Sequence, residues 1–154
     1  MALSIVVVCS GNICRSPVGE KVLAARLAEA GLADEVRVAS VGIGSWHVGE
    51  EMDRRAAATL RDRGYDAEHR ARQVDADTLD ADLLLAATAD HAADLRAAGA
   101  DPDRVRLLRS FDPMADEDAE VPDPYYGGPD RFDDVMDMIE AAAPGVVDWA
   151  RERV

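Results

Sequence analysis

Cysteine is almost absent from this chain, which has only Cys9 and Cys14 in 154 residues. Two thiols five positions apart give neither a disulfide framework nor the usual zinc spacing, so no metal is expected and the fold must rest on its own core. Lysine is scarcer still: Lys21 is the only one, and arginine carries the rest of the positive charge. Basic residues number 17 against 31 acidic ones, a net charge of −14. That balance argues against nucleic acid or an anionic membrane as partner. No apolar run is long enough to span a bilayer. Ile5–Val8 is too short for a signal core, and no positive flank or small-residue cleavage site accompanies it. A cytoplasmic protein is expected. There is no Gly-x4-Gly-Lys-Ser/Thr, so a P-loop nucleotidase is excluded. Repeats and linkers are also missing, and a monomer is expected.

What is present is an ordinary globular composition, 48% hydrophobic, long enough for one domain with a real core. Strands are predicted at Ser4–Val8, Val36–Ala39, Leu83–Ala87 and Val105–Leu108. Helices are predicted at Pro17–Ala30, from Asp53 to about Arg63, from the Thr88 cap to Gly99, at Asp130–Ala143 and at Val146–Arg153, with one helical turn at Asp75–Leu79. Pro144-Gly145 is read as the break between the last two helices. Ser40 to Met52 is a glycine-rich loop, and Ser110 to Pro129 a long loop rich in Asp and Pro; loops of that length usually carry function or are disordered. The alternation predicts an α/β fold: one three-layer domain over residues 1–154, its four-stranded parallel sheet ordered 2-1-3-4 and flanked by helices. Ligands in such sheets bind beyond the carboxyl ends of the strands.

Cys9 lies at such an end. It follows the β-branched run Ile5-Val6-Val7-Val8 and opens Cys9-Ser10-Gly11-Asn12-Ile13-Cys14-Arg15-Ser16-Pro17. Ser16 reads as a helix N-cap and Pro17 as a first helical residue. Gly11 and Asn12 tolerate positive φ, so successive amides can turn inward as an anion nest beside the helix's positive end. Arg15 offers a planar fork to two phosphoryl oxygens. The same field favours the thiolate of Cys9, the nucleophilic form, and Ser16 is placed to donate to the sulfur. This loop predicts phosphate binding with a nucleophile beneath it.

Transfer of a phosphoryl group from an alcohol or phenol needs an acid for the leaving oxygen. Asp-Pro occurs at Asp101, Asp112 and Asp123, but only Asp123 sits in Val121-Pro122-Asp123-Pro124-Tyr125-Tyr126-Gly127-Gly128. Two prolines stiffen the backbone around that carboxylate and hold it on an extended arm. Trp46, Tyr125 and Tyr126 fall in loops predicted to face Cys9. Aromatic walls suit a phenyl ring, and a deep slot favours phosphotyrosine over the shorter phosphoserine.

The Cys9–Pro17 and Asp123–Tyr126 segments resemble the low-molecular-weight protein tyrosine phosphatases. The resemblance extends to Ala39-Ser40, Trp46-His47, His69 to Gln73 and Ser110 to Pro113. It implies a phosphotyrosine-containing protein as substrate, a phosphocysteine intermediate on Cys9, no cofactor, and Asp123 as general acid and then base. Ser10 to Cys14 would form the phosphate loop with Arg15. Trp46 and Tyr125 would be the walls, with Tyr126 nearby. Ser40 and His69 would hydrogen-bond Asn12 and hold the loop's strained shape. Cys14 reads either as a resolving thiol for oxidised Cys9 or as a small buried residue. His47 and His91 read as surface residues. Two positions depart from the family's pattern: Gly19 for the usual alanine, and Thr88 where many members carry aspartate, which puts a supporting hydrogen bond in doubt. Related activities remain open. An arsenate reductase would need cysteines after Cys14, and there are none. The protein-arginine phosphatases typically place threonine at the position of Ile13. A non-catalytic phosphopeptide-binding module would lack Cys9, Arg15 or Asp123.

Overall fold

The computed structural model describes residues 2–154. Four parallel strands, β1 (Leu3–Cys9), β2 (Val36–Gly42), β3 (Leu83–Ala86) and β4 (Val105–Leu107), form one sheet in the order β2-β1-β3-β4. This is the expected topology. Ile5, Val6, Val7 and Val8 are each at most 2% exposed, because helices cover both faces of the central strand; each such side chain contributes about 1.5–3 kcal/mol. Alternation along β1 divides the core. Ile5 and Val7 join α1 (Arg15–Glu29), α2 (Arg54–Asp62) and α5 (Pro129–Arg151) on one face. Val6 and Val8 meet α3 (Ala76–Leu79) and α4 (Ala89–Ala97) on the other.

Three local expectations need correction. First, β2 runs on to Gly42, because Ser40, Val41 and Gly42 pair with Val7, Val8 and Cys9. Ser40 is therefore a buried strand residue rather than a loop residue. Second, α1 starts at Arg15, with Cys14 at the N-cap position and no side-chain cap. Ser16 does not cap: it lies in the first turn and aims at the end of β1. Pro17 is tolerated there because the first amides of a helix have no helical acceptor anyway. Third, α5 passes unbroken through Pro144. An interior proline costs about 3 kcal/mol, but Pro144 lies on the exposed side. The opposite side buries Ile139, Ala142, Ala143, Val146, Val147 and Ala150, more than enough to offset it. Gly145 is a packing glycine: a Cβ there would stand 2.3 Å from the Phe111 carbonyl oxygen.

The other helix starts follow the expected chemistry. Asp53 accepts from the Arg55 amide, Asp75 forms a capping box with Thr78, and Thr88 accepts from the His91 amide. Among the described residues no helix is long and apolar enough to cross a membrane.

Candidate active site

The carboxyl end of β1 opens onto a cavity of about 230 Å³ lined by Cys9, Ser10, Gly11, Ile13, Cys14 and Arg15 from one side. Trp46, His47, Asp123, Tyr125 and Tyr126 line it from the other. A larger groove of about 930 Å³ runs between Arg54, Arg61 and Arg70. No thiol or hydroxyl lines it, so chemistry rather than size selects the smaller cavity.

The loop from Cys9 to Ser16 is held from several directions. Asn12 takes the left-handed conformation, φ 60°, alone among non-glycine residues described. Its side chain stabilises that geometry: Nδ2 donates to Ser16 Oγ at 2.8 Å and Ser40 Oγ at 2.9 Å, and Oδ1 accepts from the Arg72 amide at 2.8 Å. The Asn12 carbonyl accepts from His69 Nε2 at 2.7 Å, and Ser40 Oγ donates to Glu20 at 2.6 Å. The Ile13 carbonyl accepts from the Asp53 amide at 2.9 Å. Burial pushes the His69 imidazole below its ordinary range, against the pull of this carbonyl, so the neutral ring donates from Nε2.

Cys9 Sγ lies 3.0 Å from Ser16 Oγ. The Ser16 hydroxyl also lies 3.3 Å from the Val41 carbonyl; its single proton can serve one or the other. Cys14 is buried, and burial with the nearby carboxylate of Asp53 pushes its thiol far up. It stays protonated, which fits the buried-residue reading.

Arg15 is 6% exposed. Nη1 donates to the Val121 carbonyl at 3.1 Å, and Nη2 lies 3.5 Å from Ser10 Oγ and 3.8 Å from Asp123 Oδ2. Val121 in turn donates its amide to Ala87 at the end of β3. From this anchor the chain carries Asp123 outward; its side chain is 48% exposed and accepts from the Tyr125 amide at 3.0 Å. Tyr125 and Tyr126 meet edge to face at 4.9 Å. Trp46 is largely exposed, its ring folded over Gly44 so closely that a Cβ there would stand 2.0 Å from it.

Two residues escaped the sequence reading. Arg55 pairs with Asp53 at 2.9 Å, donates to the Gly127 carbonyl at 3.3 Å, and lies over the rings of Tyr125 and Phe132. It ties the start of α2 to the Asp123 segment. His91 is not a surface residue: it is 6% exposed and its Nε2 lies 2.8 Å from Ser10 Oγ. His47, also read as surface, is half-buried, with its ring against Gly11 and Nδ1 3.0 Å from Glu50.

Comparison with known proteins accords with this arrangement. The model of the family described as low molecular weight phosphotyrosine protein phosphatase matches residues 4–153. The chain belongs to this family. It is 51% identical to low molecular weight protein-tyrosine phosphatase A of Mycobacterium tuberculosis, over 99% of this chain and 94% of that one. It is 45% identical to the low molecular weight protein-tyrosine-phosphatase of Streptomyces coelicolor, over 100% and 97%. A solved protein tyrosine phosphatase from Entamoeba histolytica, with Hepes in its active site, superposes with a TM-score of 0.92 at 28% identity, covering 98% of each chain. The sheet, the loop after β1 and the segment before α5 thus stand within a shared fold.

Proposed function

We propose that the protein hydrolyses phosphotyrosine in a protein substrate through a phosphocysteine on Cys9. The observation that carries the reading is the meeting of four parts in one cavity: a buried thiol 3.0 Å from a hydroxyl, the α1 N-terminus with Arg15, an exposed carboxylate 3.8 Å from Arg15, and aromatic side walls.

The α1 N-terminus and Arg15 place positive potential around Cys9 and around the site where a phosphoryl group would sit. The thiolate attacks phosphorus, and the bond to the phenolic oxygen breaks. Arg15 and the loop amides hold the three equatorial oxygens. The Asp123 carboxyl gives its proton to the leaving phenolate. A water then attacks the phosphocysteine, Asp123 takes a proton from it, and inorganic phosphate leaves with the thiolate restored. Ser16 donates to the sulfur when it is anionic, as nucleophile and as leaving group. Trp46, Tyr125 and Tyr126 wall the phenyl ring, and the local cationic site offsets the −14 charge of the whole chain for a dianionic substrate.

The test is hydrolysis of a phosphotyrosine peptide, without added metal, by the wild type and by Cys9→Ser. Turnover by the first and none by the second is expected. A wild type that binds the peptide without cleaving it would make this a phosphopeptide-binding module, and preferential cleavage of phosphoarginine would replace the substrate assignment.

A further inference from the structure

β1 and β3 are neighbours in the sheet, so the segments leaving their carboxyl ends run side by side. The first supplies Ser10, a residue of the cavity wall. The second supplies Thr88 and His91 in the first turn of α4. His91 Nε2 lies 2.8 Å from Ser10 Oγ, and His91 Nδ1 lies 3.0 Å from Thr88 Oγ1. Thr88 Oγ1 also accepts from the His91 backbone amide at 3.3 Å, and Ser10 Oγ accepts from Arg15 Nη2 at 3.5 Å. These contacts form a chain, Thr88–His91–Ser10–Arg15, running under the rim of the cavity.

Each hydroxyl has one proton and the neutral ring has one N–H, so the chain admits two directions. With the ring proton on Nδ1, His91 donates to Thr88 and the Ser10 proton is taken up by Nε2. Every link is then used once, and the Thr88 proton is left over. With the ring proton on Nε2, Thr88 donates to Nδ1 while accepting from the His91 amide, and every link is again used once. Ser10 Oγ then accepts from both His91 and Arg15, and the proton left over is its own, on the cavity side, where a phosphoryl oxygen would accept it; a bound phosphate therefore selects this direction. Burial and the Arg15 guanidinium push the imidazole below its ordinary range, against Asp94, Asp90 and Glu120, so the ring enters the chain neutral.

We infer that His91 is a positioning residue: held by Thr88 with its proton on Nε2, it turns the Ser10 hydroxyl into one more donor to the phosphoryl group, beside the loop amides and Arg15. This rests on the cavity being a phosphate site. Threonine at position 88 permits this direction, because its hydroxyl can donate to Nδ1. An ionised aspartate there could only accept; it would draw the ring proton to Nδ1 and turn Nε2 into a competitor for the Ser10 proton.

Two measurements test this, with inorganic phosphate as the probe. The first is the 15N spectrum of the wild-type imidazoles with phosphate bound, His91 being assigned by its loss in His91→Gln. A protonated Nε2 and bare Nδ1 are expected; the opposite tautomer overturns the proposal. The second is competitive inhibition by phosphate of Ser10→Ala, His91→Leu and the pair together. Each single change weakens phosphate by about 10–100-fold, the size of a lost charge-assisted hydrogen bond. The double variant is expected within about twofold of Ser10→Ala, because the two residues act through one hydroxyl. Thr88→Asp lowers phosphate affinity in the same range, and His91→Gln, which keeps an amide donor, recovers part of the His91→Leu loss. Additive losses, or no loss, overturn the proposal while leaving the phosphate site intact. A folded wild type that does not bind phosphate overturns both.

Discussion

Residues 9–16 and residues 122–128 face each other across one cavity, yet they are built differently. In the first loop Asn12, Cys14, Arg15 and Ser16 are buried, and backbone and side-chain hydrogen bonds hold it from β2, α2 and the Arg72 segment. The second is exposed at Pro122, Asp123, Tyr125 and Tyr126. It is tethered mainly at its ends, through Val121 on one side and Gly127 on the other. The difference follows from what each must do. Donors aimed at a phosphoryl group help most when they need no rearrangement. A carboxyl that must meet the leaving oxygen of an entering substrate needs reach, and a short arm stiffened by proline supplies it. Damage to the loop should therefore reduce binding, activity and stability together, whereas damage to the arm should be seen chiefly when the leaving group needs a proton.

The sharpest expected contrast comes from Asp123→Asn. Its kcat/KM on a phenyl phosphate, which reports the step that expels the leaving group, should fall by about 10²–10³-fold, within the range of general acid catalysis, while kcat/KM on a dinitrophenyl phosphate, whose leaving group needs no proton, should change by less than about tenfold. Equal losses on both substrates would break the division between loop and arm.

Asn12→Ala should act through the fold. It removes three side-chain hydrogen bonds from a residue at φ 60°, where alanine is strained. A loss of about 3 kcal/mol is expected, a Tm lower by roughly 6–12 °C in calorimetry, with activity reduced on every substrate.

Arg55→Ala is the milder counterpart on the arm. Freeing Gly127 and Tyr125 should lower kcat/KM about 3–10-fold for poor leaving groups only, measured on the same substrate pair, with little change in phosphate inhibition.

The smallest effect is in pH. His69 and His91 are both held below the ordinary imidazole range, chiefly by burial. Just below pH 6.5 the unfolded chain therefore binds more protons than the native one. Stability is full above that point and is lost as the pH falls towards the lowered native values. A Tm profile should slope downward below about pH 6.5, and His69→Gln and His91→Gln should each flatten it.

Much of the loop was legible because its chemistry is local. A strand end, a Gly-Asn pair and an arginine at a helix entrance lie within nine residues, and the order β2-β1-β3-β4 put them where ligands bind. The supports were harder to read. Ser40 reads as loop because the strand pattern fades after Ala39, while the pairing of Ser40–Gly42 with β1 is a long-range contact. His91 carries no motif, flanked as it is by alanine and aspartate. The one available signal was topological: β1 and β3 adjoin, so whatever follows Ala86 must pass the residues that follow Cys9. Arg55 reaches the arm across more than 70 residues of sequence, a separation no spacing rule bridges. The break expected at Pro144 does not occur, because propensity is a local cost while the buried face of α5 is a sum over the whole helix.

The most direct test of the thiolate account is to quench the wild type during turnover of a phosphotyrosine substrate and map the bound phosphoryl group by peptide mass. The account predicts one phosphoryl group on the peptide bearing Cys9, lost on further incubation as inorganic phosphate appears. A phosphoryl group on another residue, or steady turnover by a Cys9→Ala variant, would contradict it.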